Sequence, residues 1–118
     1  MTTFQIGVAL ACVFLIAVGQ VLFKAVGVAV ESAGTVADLR AVMLGGLAAV
    51  IYLAATLAWI WLLRTAPLSR AYPYMALSFV LVPLMSAFFY RESLSLQYVI
   101  GVLLLVMGII LAALDTRS

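Results

Sequence analysis

The chain has 118 residues, of which 69% are hydrophobic and 8% are charged, and its net charge at pH 7 is +2. A soluble domain carries about 25% charged residues, so this sequence has too little polar surface to fold in water. Its six Lys and Arg residues form no run, which excludes a nucleic-acid partner. It has no His and one Cys, Cys12, so the usual residues for metal binding, a disulfide and general-base catalysis are missing. We therefore expect a membrane protein without a metal or cofactor and without enzymatic activity.

Four apolar segments divide the chain, and each is long enough to cross a bilayer. About 20 residues at 1.5 Å per residue span the ~30 Å of hydrocarbon. The first segment has no Lys or Arg before it and is longer than a signal-peptide core, so we expect it to be retained. The predicted fold is an all-α membrane protein, one domain over residues 1–118 with a bundle of four transmembrane helices. The predicted spans are residues 4–30, 41–63, 71–90 and 96–114.

The end of the first span carries the sharpest functional signal. Gln20, Lys24 and Gly27 follow each other at intervals of four and three residues, so they share one face of a helix. Lys24 lies about 9 Å of helix inside the end of the span, where a charge is unfavourable unless it snorkels to the interface. One interpretation is a cation that faces a cavity and binds an anionic headgroup, with Gln20 as a hydrogen-bonding partner. The other is an interface Lys on an over-long helix; we favour the first, because Gln20 cannot snorkel.

The loop and the second span show structural signals. In the loop, residues 31–40, Gly34 is expected to stop the first helix, and Thr35 to Asp38 form a capping-box pattern before the second. Small residues at the start of the second span favour close helix packing, and Trp residues at its end favour an interfacial anchor. These residues are Gly45, Gly46, Ala48, Ala49, Trp59 and Trp61.

Prolines mark the third span. Pro67 and Pro73 favour its entry, and Pro83 is predicted to kink its middle by removing a backbone hydrogen bond. Residues 91–95 are the only connection to the fourth span, so the two spans must form an antiparallel hairpin.

The fourth span carries a predicted helix contact. Gly101 and Gly108 lie seven residues apart, which makes a groove for another helix and favours a dimer contact. The positive residues near span ends give a weak bias for cytoplasmic termini, and dual topology remains open. They are Arg64, Arg70 and Arg117 on the N-terminal side, and Arg40 and Arg91 on the other, joined by Lys24 if it snorkels outward.

Several polar residues near span ends have two interpretations each. Glu92 directly follows the third span and either pairs with Lys24, Arg91 or a substrate amine, or is a solvated charge favoured by the helix dipole. Arg64 and Arg70 either bind phosphate through their forked donors or serve topology alone.

An aromatic cavity is the other candidate binding feature. Tyr74 and Ser78 share one helix face, and Tyr72 is offset from them. With Tyr52 and Trp59 of the second span they would line such a cavity, although Tyr and Trp also serve as ordinary interface anchors.

These features resemble a known family. Four short spans with two Gly residues seven apart in the last are similar to the small multidrug resistance family and the wider EamA-like drug/metabolite transporter superfamily. Three stretches look more narrowly like the paired small subunits of the aminoarabinose undecaprenyl-phosphate flippase. They are AVGQVLFKAV (17–26), WLLRTAPLSRAYPYMALSFV (61–80) and FYRESLSLQYVIGVLLLVMGIIL (89–111). The matching motifs are Gly-Gln with a Lys four residues later, Ala-Tyr-Pro, and the Glu that ends a span.

One position departs from the drug exporters. They carry a membrane-embedded Glu eight residues before the Lys that aligns with Lys24, and Ile16 stands there in this chain. Proton-coupled export of a hydrophobic cation therefore lacks its central group, whereas Gly101 and Gly108 match the exporters' last-span dimer contact.

The resemblance implies a flippase for a lipid-linked sugar phosphate, in a bacterial inner membrane. A four-helix chain has little room to surround a headgroup, so a second copy or a related small subunit is expected as partner. Export of small cations or metabolites remains an alternative, as does a non-transporting subunit that partners a glycosyltransferase.

Overall fold

The computed structural model describes residues 1–115. In this part of the chain there are five α-helices and no strand: α1 (Thr3–Ala33), α2 (Leu39–Leu63), α3 (Leu68–Met75), α4 (Ser78–Tyr90) and α5 (Leu96–Leu114). Since α3 and α4 together form one apolar span, four segments are long and apolar enough to cross a membrane. The predicted fold class, an all-α membrane protein with four spans, is confirmed.

Short connections join successive spans, so the spans alternate in direction and the bundle has two ends. The N-terminal face carries Met1, the turn at residues 64–67 and Asp115. The loop face carries the loop at residues 34–38 and the connection at residues 91–95. Arg117, one of the positive residues from which the orientation of the termini is predicted, lies outside the described residues.

α1 and α2 form the most extensive contact in the described chain, and small side chains make it. The buried residues of α2 are Ala41, Ala48, Ala55 and Leu62, which recur every seven residues. Opposite them, the Cys12 thiol of α1 lies 3.7 Å from the Ala55 carbonyl oxygen. Small residues let two backbones approach closely where lipid supplies no hydrophobic drive. Of the four small residues singled out in the sequence only Ala48 is buried, and the seven-residue repeat is the true packing face.

The loop between α1 and α2 is shorter than predicted. Gly34, with φ 74°, ends α1 in the left-handed conformation, as expected. The N-cap of α2 is Asp38, whose carboxylate accepts the Ala41 amide at 3.3 Å. The capping box predicted from Thr35 is wrong, because the Thr35 hydroxyl accepts an amide two residues later and closes a local turn instead.

The third span is interrupted, but not at the proline that was predicted to kink it. Pro67 is the N-cap of α3, as expected at the entry. The helix breaks at Ala76 and Leu77, where the Leu77 amide donates to the Tyr74 carbonyl at 3.0 Å in a three-residue turn. α4 continues through Pro83 to its end. Pro83 lacks one amide N–H, but the neighbouring hydrogen bonds of the helix stay in place. At Ala76 and Leu77 the hydrogen bonds instead span three residues, and this change separates α3 from α4.

The bundle is flat and open on one side. α5 contacts mainly α3 and α4, and none of its residues is buried. The extents are 51 × 37 × 16 Å and the radius of gyration is 16.4 Å. A compact chain of this length has a radius of gyration of about 13 to 14 Å. The chain therefore forms a slab rather than a closed four-helix bundle.

Candidate substrate-binding site

One face of α1 is closed in its first half and open in its second. Val13, Ala17, Gln20, Lys24 and Gly27 follow each other at intervals of four and three residues, so they lie along a single face. Val13 and Ala17 are buried, whereas the next three residues are exposed. The face that packs inside the bundle near its N-terminal end is therefore exposed toward the loop face, and we call this exposed stretch, with Tyr52 beside it, the polar cleft.

A small apolar core closes the N-terminal half. Ala9, Leu62, Ala66 and Ala71 are buried together there, and Trp59 and Tyr74 pack against them. Trp59 and Tyr74, predicted to line an aromatic cavity, thus lie at the closed end of the bundle. Small side chains from α1, α2 and α3 meet at this end.

Tyr52 of α2 forms one wall of the cleft. The Gln20 amide nitrogen Nε2 donates to the Tyr52 hydroxyl at 2.6 Å. The Tyr52 ring stacks on Phe23, with centroids 5.0 Å apart and 26° between planes. The ring also lies directly over Gly19, where a Cβ atom would overlap it. Gln20 and Tyr52, both predicted from the sequence, are therefore brought together, and Gly19 makes room for them.

Lys24 is the cation of the cleft. Its side chain is exposed and lies one helical turn beyond Gln20. Among residues 1–115 it has no hydrogen-bond or ion-pair partner. It thus combines a charge on an apolar span with three free donors, which suits an anionic oxygen ligand.

Tyr90 makes a contact with α1 that the sequence did not predict. Its hydroxyl, at the end of α4, donates to the carbonyl oxygen of Val21 at 2.8 Å. The same ring helps to line a cavity of about 340 Å³ with Ala29, Asp38 and Arg40. This bond holds α4 against the second half of α1. A Tyr at a span end reads as an interface anchor, so no sequence signal pointed to its partner.

Glu92 lies in a hydroxyl-rich cavity at the loop face. The cavity, about 550 Å³, is lined by Glu92, Ser86, Ser93, Ser95 and Tyr98, among others. Hydroxyls and a carboxylate can hydrogen-bond the hydroxyls and amino group of a sugar. The sequence marks only Glu92. Ser93 and Ser95 belong to the short connection and Ser86 to the third span, and the fold of the α4–α5 hairpin brings them together.

The remaining predicted residues lie elsewhere. Arg70 borders a small cavity at the N-terminal face, and Ser78 is half-buried at the start of α4. Tyr72 is 60% exposed and lines a groove between α3 and α5 together with Gly101 and Gly108. The structure thus brings Gln20 and Tyr52 together, with Lys24 one helical turn away. It distributes the other predicted residues over the closed end, the Glu92 cavity, the Arg70 cavity, the groove between α3 and α5, and the start of α4.

The spans and this polar cleft define a multi-pass membrane protein, and its relatives are bacterial. Over 57 residues the chain is 42% identical to a protein of Enterobacter sp. (strain 638) named "Probable 4-amino-4-deoxy-L-arabinose-phosphoundecaprenol flippase subunit ArnE", a match that covers 48% of this chain and 53% of the relative. Proteins of the same name from Hamiltonella defensa and Photorhabdus laumondii are 36% identical over 66 residues and 40% identical over 68 residues. These matches cover 56% and 57% of this chain and 60% of each relative.

The chain spans about half the length of the curated relatives that it matches. No family model and no solved structure matches it. The resemblance to the small flippase subunits is confirmed, as is the predicted location, a multi-pass protein of the bacterial inner membrane.

Proposed function

We propose that this chain is one subunit of a flippase that moves a lipid-linked sugar phosphate of the aminoarabinose type across the inner membrane. The observation that carries the proposal is Lys24, an unpaired cation on a helix face that is buried two turns earlier and open where Lys24 lies. The names of the relatives supply the substrate class.

The phosphate would bind at Lys24 and Gln20. Gln20 uses one amide N–H on Tyr52, so its second N–H remains to donate to a phosphate oxygen beside the Lys24 ammonium. Charge-assisted hydrogen bonds of this kind are about twice as strong as neutral ones. Because Phe23 and Gly19 hold the Tyr52 ring in place, the amide is oriented before substrate arrives.

The sugar would bind in the Glu92 cavity. Lys24 lies in the half of the bundle next to the loop face, and the Glu92 cavity lies at that face. A sugar amine carries a positive charge near neutral pH, so the Glu92 carboxylate would bind it, while the surrounding hydroxyls would bind sugar hydroxyls.

A second subunit would complete the cleft. The chain is a slab only 16 Å thick between Cα atoms, so one copy cannot enclose a headgroup. The relatives are named as subunits, which supports either a second copy or a related small chain as the partner. Gly101 and Gly108 are one candidate contact for it.

We infer transport rather than catalysis. The relatives are named as flippase subunits. In the described cleft the Gln20–Tyr52 pair is neutral and Lys24 stands alone, an arrangement that suits anion binding better than proton transfer between paired groups.

Headgroup accessibility in proteoliposomes tests this function. The protein, with any subunit that co-purifies, would be reconstituted with a labelled polyprenyl-phosphate aminosugar, and the rate of label exposure measured. We expect Lys24→Gln to slow exposure about 10- to 100-fold, because one charged hydrogen-bonding group is lost. Lys24→Arg should retain most of the rate, and Glu92→Gln should slow the amino sugar more than a neutral sugar.

Arg40→Gln is the matched control. Arg40 is also an exposed cation close to the loop face, but it lies on α2 rather than on α1. A wild-type rate for Lys24→Gln would contradict the proposed phosphate site. Co-purification of a glycosyltransferase in equal amount, with no label exposure by any form, would favour a non-transporting subunit.

A further inference from the structure

We propose a second, separate lipid-phosphate site at the N-terminal face, where Arg70 holds the phosphate and the groove between α3 and α5 holds the apolar chain. This site is distinct from the Lys24 cleft. Lipid binding there does not require transport, whereas its place in a transport cycle rests on the proposed function.

Arg70 carries a buried donor without an acceptor. Its guanidinium nitrogen Nη1 is inaccessible to solvent and has no hydrogen-bond partner among residues 1–115. A buried charged donor left unpaired is strongly unfavourable, so an acceptor is expected at this position. The guanidinium fork matches the oxygens of a phosphate better than any neutral ligand.

A cavity beside Arg70 has room for that acceptor. It measures about 130 Å³ and is lined by Met1, Ile6, Arg70, Tyr74, Ala112 and Ala113. A space of ~10–15 Å³ on the same measure holds one water molecule, so this cavity holds several waters and has room for a phosphate group. Tyr74 also lines this cavity, and its side chain carries a hydroxyl that can donate.

An apolar groove adjoins this cavity. The groove lies between α3 and α5, measures about 600 Å³, and includes Tyr72, Pro73, Gly101, Gly108 and Ala112 in its lining. Ala112 lines both spaces. Among the described residues no atom lies within 4 Å of a Cβ placed at Gly101 or Gly108, so the floor of the groove is empty. A polar cavity that continues into an apolar groove on a membrane span fits an amphiphile with an anionic head.

The two cationic sites lie near opposite membrane faces. Ile6 lines the Arg70 cavity, and Lys24 follows it by 18 residues on the same helix, which corresponds to about 27 Å. The hydrocarbon layer is ~30 Å thick. If the proposed function holds, Arg70 binds the lipid phosphate when the lipid is in one leaflet, and Lys24 binds it nearer the other leaflet.

Lipid binding by the purified protein, with any subunit that co-purifies, tests this site without any transport step. Four probes would be titrated in detergent by native mass spectrometry: undecaprenyl phosphate, phosphatidylglycerol, undecaprenol and inorganic phosphate. We expect the phosphate lipids to bind at least about tenfold more tightly than undecaprenol or inorganic phosphate, because only they occupy both spaces. Preference for undecaprenyl phosphate would assign the site to polyprenyl lipid, and equal affinity would assign it to bulk phospholipid.

Matched variants assign the site to its residues. Arg70→Gln should raise the Kd for undecaprenyl phosphate about tenfold or more, and Gly108→Leu should do the same by filling the groove. The control is Arg64→Gln, which removes an exposed cation at the end of α2 that stacks on Trp61, and it should leave the Kd within about twofold. Should Arg70→Gln fail to fold, Arg70→Lys, which keeps the charge and loses the fork, and Gly108→Leu still test the site.

Three results would overturn the inference. They are an unchanged Kd in both Arg70→Gln and Gly108→Leu, equal affinity for inorganic phosphate and the lipid, and a Gly108→Leu variant that loses self-association while lipid binding persists. The last would show that a helix of a second copy occupies the groove. Lipid binding is measured without transport, so wild-type protein that binds lipid at Arg70 and exposes no label in proteoliposomes would count against the proposed function alone.

Discussion

α1 and α5 are almost equally apolar, yet their surroundings differ. In the most apolar 18-residue window of α1, 28% of residues are buried, whereas in that of α5 none is. Apolarity qualifies a helix for the bilayer, and lipid satisfies it as well as protein does. Helices pack instead where small residues at regular spacing let them approach closely. The seven-residue repeat of α2 provides such a face, and α1 packs against it.

Glycine shows the same contrast on a smaller scale. Gly19 of α1 lies under the Tyr52 ring, whereas the spaces beside Gly101 and Gly108 of α5 are open. The small residue is therefore a filled contact at Gly19, whereas at Gly101 and Gly108 it borders an unoccupied surface. We expect substitutions to be costly in α1 and α2 and mild in α5 for the stability of the chain itself.

The largest effect is expected at Gly19. Gly19→Leu should lower the free energy of unfolding in detergent micelles by about 3 kcal/mol, since the new side chain must displace the Tyr52 ring and its bond to Gln20. Gly108→Leu is the matched control and should change stability by less than about 0.5 kcal/mol. Equal losses in both variants would show that α5 is packed as tightly as α1.

A smaller effect is expected from truncating the core. Leu62 is fully buried between Ala9, Ala66 and Ala71, so Leu62→Ala should cost about 2 kcal/mol. This is less than in a soluble core, because lipid or detergent solvates the unfolded Leu side chain and leaves only the cavity term. Leu104→Ala on α5, where the side chain is 64% exposed, should cost under about 0.5 kcal/mol. Unfolding in the same micelles measures both, and a larger loss at Leu104 would reverse the comparison.

The smallest effect concerns the hydrogen bond that orients the cleft. Tyr52→Phe should cost about 1 kcal/mol, and a double-mutant cycle with Gln20→Leu should show that the two losses are not additive. Tyr98→Phe serves as control, since the Tyr98 hydroxyl has no hydrogen bond within residues 1–115. Additive losses at Gln20 and Tyr52 would mean that the 2.6 Å bond contributes nothing to stability.

The sequence predicted the fold well because the bilayer imposes it. Span number and approximate bounds follow from runs of apolar residues, and Gly34 was predictable as a helix stop because its left-handed conformation favours glycine. The cap of α2 was assigned to the wrong residue. Thr35 and Asp38 are both good cap residues, and only the path of the loop selects between them.

The site was less predictable than the fold. The shared face of Gln20 and Lys24 was readable from spacing, but the partner of Gln20, Tyr52, lies 32 residues away and was placed in a broader aromatic set. The bond from Tyr90 to Val21 joins residues 69 apart, and the serines around Glu92 have no spacing that marks them. Contacts at such separations depend on how helices pack, which periodicity within one helix does not report.

By itself, then, the sequence determined which segments are apolar enough to span a membrane, where α1 stops, and which polar side chains interrupt an apolar span. The first of these depends on the transfer of single residues between water and lipid. The tertiary structure alone decided that one face of α1 is buried at Val13 and exposed at Lys24, that Arg70 has a buried donor without a partner, and that α5 lies at an edge. Those features depend on shape complementarity between helices, and lipid, being as apolar as the side chains themselves, leaves that choice to close packing.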